Sequence, residues 1–122
     1  MHKITTLIIA TLLLAVPVVH AQAEPARFFV AASDVPIMDG LVEDQQAGFV
    51  YDSPQGRVIE SVAILHQVSE EDVRRFYNES LPVFGWAFSG ADEFVRGKEI
   101  LSIRIDTHRD QKVLTLSIAP RS

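Results

Sequence analysis

The amino-acid sequence predicts an α+β domain: a mainly antiparallel sheet of about five or six strands packed on one helix, at about residues 70–81. Three observations carry this. Ile100–His108 and Lys112–Ala119 alternate strictly between apolar and polar residues, the habit of strands with one buried and one wet face. Ser69–Leu81 combines helix-start signals with a single apolar stripe. Short apolar runs elsewhere are separated by clusters of Gly, Pro, Asp and Ser, which form turns.

The chain opens with Met1-His2-Lys3, followed by Ile4–Val19, 16 residues without a charge, and then the small-x-small tripeptide Ala21-Gln22-Ala23. That order describes a secretory signal peptide over residues 1–23, cleaved after Ala23 or after Ala21. A membrane span needs about 20 apolar residues, so this run is short for one, and Pro17 suits a break before a cleavage site. With no cysteine in the chain, there is none for a lipoprotein signal to acylate. The expected product is periplasmic, with no stable membrane anchor after cleavage.

Residues 24–47 read as an extended N-terminal arm. Pro25, Pro36, Gly40 and the acids Asp34, Asp39, Glu43 and Asp44 break any periodicity, while Phe28-Phe29-Val30 and Ile37-Met38 offer apolar anchors. Residues 48–122 read as a single α+β domain. Gly48–Asp52 and Arg57–Gln67, joined by Ser53-Pro54-Gln55-Gly56, form an expected hairpin. Val58, Val62 and Ile64 fall on one side of its second strand and Ile59, Ala63 and Leu65 on the other, which predicts a central strand covered on both faces.

Ser69 is placed to cap the helix, with Asp72 completing a capping box and Val68 and Val73 forming a hydrophobic staple. Glu70, Glu71 and Asp72 put negative charge at the positive end of the helix dipole. Glu70–Arg74 and Glu71–Arg75 are favourable i, i+4 pairs. Val73, Phe76, Tyr77 and Leu81 make the apolar stripe, and Pro82 predicts a stop at Leu81. Strands at Gly85–Ser89 and Glu93–Arg96 follow, with turns at Gly90 and Gly97-Lys98. The two alternating strands come last, joined through Arg109-Asp110-Gln111.

Charge bounds the partners. Lys3 is the only charged residue in 1–23, so the remaining 99 residues carry 10 basic and 16 acidic side chains, a net −6 with histidine neutral. Nucleic acid binding needs a basic face, so no nucleic acid partner is expected. The domain must also be stable without disulfides.

The sequence holds no catalytic or metal-binding constellation. No G-x-S-x-G occurs, and His66 and His108 have no partner at metal-ligand spacing. The arm's acids do not match a calcium loop. No cofactor is expected. Two features could meet a partner. Ser102, Arg104, Asp106, His108, Thr115 and Ser117 form a polar sheet face, and Trp86, the lone tryptophan, falls where the helix end meets the sheet. An aromatic there either plugs the core or lines a groove. Trp86, Arg104, Asp106 and His108 are the candidate partner-binding residues.

The pattern Val73-x-x-Phe76-Tyr77-x-x-x-Leu81-x-x-x-Gly85-Trp86, leading through a strand and turn into Phe94-Val95-Arg96-Gly97-Lys98, resembles small exported proteins of Gram-negative bacteria of unassigned function. Gly56-Arg57-Val58-Ile59-Glu60 and Met38-Asp39-Gly40-Leu41 share the likeness, which covers roughly residues 34–118. It is loosely similar to helix-grip domains of envelope accessory lipoproteins, although the lipid-bearing cysteine is missing. The resemblance implies a packing arrangement and carries no catalytic residue. The expected function is a non-enzymatic periplasmic domain binding a protein or envelope component. The alternatives are a small-ligand or lipid carrier with a groove near Trp86, and a small periplasmic enzyme.

Overall fold

A computed structural model describes residues 10–18 and 27–122. Lys3 and both expected cleavage positions, Ala21 and Ala23, lie outside the described residues, and Ala10–Val18 is exposed and without regular secondary structure. Among the described residues, no helix is long and apolar enough to cross a membrane.

The fold is α+β. In chain order the elements are β1 (Arg27–Phe28), β2 (Pro36–Ile37), β3 (Leu41–Glu43), β4 (Phe49–Ser53), β5 (Gly56–Leu65), α1 (Glu70–Ser80), a 3-10 turn (Leu81–Phe84), β6 (Ala87–Gly90), β7 (Glu93–Arg96), β8 (Glu99–His108) and β9 (Gln111–Pro120). Seven strands make one antiparallel sheet in the order β3-β5-β9-β8-β7-β6, with β4 also on β5. One edge of β5 is shared. β4 pairs with Gly56–Glu60, and β3 with Ala63–Leu65. β1 and β2 form a separate small ribbon.

The helix starts as its residues dictate. Asp72 N–H donates to Ser69 Oγ at 3.0 Å, and Ser69 N–H donates back to the Asp72 carboxylate at 3.3 Å. Arg74 bridges to Glu70 and Arg75 to Glu71. Two further contacts tie α1 to the sheet: Arg74 reaches Asp92 in the β6–β7 turn, and Lys112 of β9 reaches Glu70. Val73, Tyr77 and Leu81 are fully buried against a core that includes Leu101, Leu114 and Leu116. The helix stops at Leu81, its C-cap, as expected, but without the loss of helical geometry that Pro82 predicts there. α1 ends at Ser80, and Leu81 keeps helical angles (φ −61°, ψ −36°) directly before Pro82, inside the 3-10 turn. Burying a leucine contributes about 1.5–3 kcal/mol, enough to override the mild bias against helical geometry before proline. Gly85, at φ +88°, closes that turn and sends Trp86 into the core.

Two turn expectations shift. Gly90 stays in β6, paired with Glu93 after a register shift, and the turn is Ala91-Asp92, with Asp92 at φ 58°. Arg109 and Asp110 form the two-residue β8–β9 turn, both with positive φ, which matches the strand twist.

The N-terminal arm packs into the domain through its apolar anchors and beyond them. Phe29, Ala32, Val35, Ile37 and Leu41 are buried in the core, and β3 joins the main sheet. The Tyr77 hydroxyl donates to the Pro36 carbonyl at 3.0 Å. Prolines and acids erase periodicity without preventing burial, because single apolar residues between tight turns can still face inward. The expected cover on both faces of β5 is corrected. Ile59, Ser61 and Ala63 face the core, while Val58, Val62 and Ile64 are only half-buried on the face away from α1.

A four-residue ionic cluster clamps the arm to one end of the sheet. Arg57 binds Glu99 (2.6 Å) and Asp34 (3.2 Å), and Arg96 binds Asp34 and Glu99. Burial pushes the Asp34 carboxyl up, but hydrogen bonds from Arg96 and Arg57 together hold it below its ordinary 3.8. The Arg57 hydrogen bond likewise holds Glu99 below its ordinary 4.5. Carboxyls depressed on folding contribute stability that is complete above the unfolded-state values and lost as pH falls through the lower folded ones. Arg57→Met should therefore cost about 1–2 kcal/mol at pH 7, between the values for exposed and fully buried pairs. In urea titrations that deficit should shrink steadily between pH 5 and pH 3, and a deficit independent of pH would contradict the account.

Gly48 supplies a second, purely steric expectation. A Cβ there would lie 2.5 Å from the Glu60 carbonyl oxygen, which is backbone and cannot step aside. Gly48→Ala should lose about 1–3 kcal/mol in urea denaturation, the usual cost of overpacking.

Candidate functional site

The sequence's four candidates do not form one site. Trp86 is 1% exposed, with the Arg96 guanidinium 4.2 Å from its ring centroid, so its indole lines no open groove. Arg104 and Asp106 lie on the opposite face of the sheet, joined at 2.7 Å with most of both side chains in water. An exposed pair of this kind contributes less than about 1 kcal/mol. His108 shares their side of β8 but stands exposed at its end, paired with Gln111. The polar face is laid out as the alternation predicts, with Ser102 opposite Ser117 and Arg104 opposite Thr115.

The arm's acids scatter. Asp34 enters the ionic cluster, Asp39 pairs with Arg27 at 3.5 Å, Glu43 binds a backbone amide and Asp44 caps its own turn. Among the described residues, no three His, Asp or Glu side chains gather closely enough to hold a metal ion.

A cleft lies where β3 and β4 share the edge of β5. Asp44 N–H bonds to the Val62 carbonyl at 2.8 Å, and a turn over Asp44–Ala47 lifts the chain off β5 before Gly48 returns it against Glu60. β5 is thus left without a strand partner on that side at Ser61. A cavity of about 360 Å³ opens there, lined by Val30 and Ala31 from the arm, Gly48, Phe49 and Val50, Ser61, and the acids Glu43, Asp44 and Glu60. That volume is within the range of small-ligand sites. Val30 N–H donates to both oxygens of Glu43 (3.1 and 3.3 Å), a strut shared with a neighbouring cleft over Arg27, Phe28, Ile37 and Val42.

The chemistry of the cleft is specific. Its lining combines exposed apolar side chains with three carboxylates and no lysine or arginine. Ser61 is 3% exposed, and its buried Oγ has no hydrogen-bond partner among the described residues. A serine nucleophile needs a base within hydrogen-bond reach, and Ser61 has none. The cleft can accept an apolar group and attract a cation. Sequence reasoning missed it. Ser61 interrupts the inward row Ile59–Ser61–Ala63, and Phe49-Val50-Tyr51 is an apolar run that one buried face cannot absorb. Neither signal is strong without knowing that β4 is an edge strand.

No protein-family model matches the chain, and neither does any curated protein or solved structure.

An unpaired buried hydroxyl costs about 1–3 kcal/mol of desolvation. Ser61→Ala should therefore raise the urea midpoint, by about 1 kcal/mol in stability. A loss of stability would mean that the hydroxyl is satisfied within the fold.

Proposed function

We propose that this chain is an exported, non-enzymatic periplasmic module that binds a protein or another envelope component at the cleft beside β4. The single observation that carries this reading is an apolar, acid-rimmed cavity in the gap between β3 and β4, beside a strand that pairs on one side only among the described residues. A rigid sheet with its recognition features on edge and loop segments is the usual layout of a binding module. The signal-like order of residues 1–23 supports export. The absence of an activated nucleophile at Ser61 favours binding over turnover. The Arg104–Asp106–His108 face offers a weaker alternative, since its one ion pair is already made and solvated.

Expressed in a Gram-negative host, the protein should fractionate with the periplasm and begin at Glu24 or Gln22. A photo-cross-linking residue placed at Val50 should yield a discrete adduct with an envelope component. The same residue at Arg104, on the other face, should yield none. Adducts only from Arg104, or retention of the uncleaved chain in the cytoplasm, would overturn the proposal.

A further inference from the structure

We infer that the cleft's partner is an extended polypeptide segment, which adds as a strand to the outer edge of β4 and lays a basic side chain toward the carboxylates of the cleft. This rests on the binding reading above and specifies its ligand.

Among the described residues β4 pairs only with β5, on one side, so alternate residues turn backbone N–H and C=O groups toward an edge that no described strand occupies. Phe49, Val50 and Tyr51 are consecutive and 49%, 58% and 60% exposed, with no lysine or proline among them to discourage pairing. The sheet's other edges are guarded. β6 has four residues, and although Phe88 is 64% exposed, the irregular register between Phe88 and Gly90 interrupts its ladder. β3 has three residues, and Val30 closes over its Glu43. β4 is the remaining template for strand addition.

Charge selects the occupant. Glu43, Asp44 and Glu60 line the cleft without a basic neighbour in it, and Glu60 sits opposite Phe49 in the β4–β5 register. A second copy of this chain, edge to edge, would bring the same carboxylates together with Asp52. A segment carrying lysine or arginine meets them with complementary charge.

The test is calorimetric titration of the purified protein with three capped nonapeptides. One alternates valine and lysine, one alternates valine and glutamate, and one is the lysine peptide N-methylated on alternate backbone nitrogens. The lysine peptide should bind at least tenfold more tightly than either of the others. Glu60→Gln, checked for a native circular-dichroism spectrum, should weaken it three- to tenfold. Equal affinity for the lysine and glutamate peptides would remove the basic side chain from the inference, and equal affinity for the N-methylated peptide would remove strand addition. If no peptide binds while the Val50 adduct persists, the inference fails and the binding module stands. If both are lost, both fall.

Discussion

A single eleven-residue helix cannot cover one face of this sheet, and much of the architecture follows from that shortfall. α1 is about 16 Å long, and a helix is about 10 Å wide. Six strands lie side by side in the main sheet, about 24 Å across at the usual strand spacing. Val73, Tyr77 and Leu81 can seal only part of that face. The N-terminal segment therefore supplies the rest of the lid, with Phe29, Val35, Ile37 and Leu41 completing the core.

The lid has to be held at several points because its strands are short. The ionic cluster fixes Asp34 where β5 and β8 begin and β7 ends, the Tyr77 hydroxyl fixes Pro36 to the helix, and β3 fixes Leu41–Glu43 to the far end of β5. The Phe28 ring meets Phe84 of the 3-10 turn edge-on at 5.7 Å. The charges in the cluster balance, two arginines against two carboxylates, so a half-buried site is neutralised at its own location. Trp86 shows the same economy: its ring fills the core, and Arg96 covers it while also binding Asp34 and the Phe84 carbonyl.

The cleft arises where this lid stops short. β3 and β4 share one edge of β5 and do not meet, and the turn between them leaves Ser61 with an apolar wall on the arm side and carboxylates on the rim. A hydroxyl in an inward-facing row is a poor choice for stability alone, as is an unguarded apolar edge. Buried polar atoms of Asp34, Ser80 and Trp86 also lack partners among the described residues, so it is the exposed apolar edge beside three carboxylates that sets this region apart. Natural chains tend to concede stability where function requires it.

Local chemistry alone determined a large share of the molecule. The capping box, the i, i+4 pairs and the apolar stripe specified α1 almost residue by residue, because these interactions span at most eight residues. Strict alternation specified β8 and β9 and their wet face, because the pleat turns periodicity directly into burial. Length and the lack of cysteine required a core that holds without disulfides. Other features depended on contacts between distant residues. Asp34 and Arg96 are 62 positions apart, and nothing near either one announces the pair. The role of the arm, the plugging of Trp86 and the gap at Ser61 all follow from which strand lies beside which. Strand order is set by the total area that the helix and lid can bury together, a property of the assembled fold that no local pattern records.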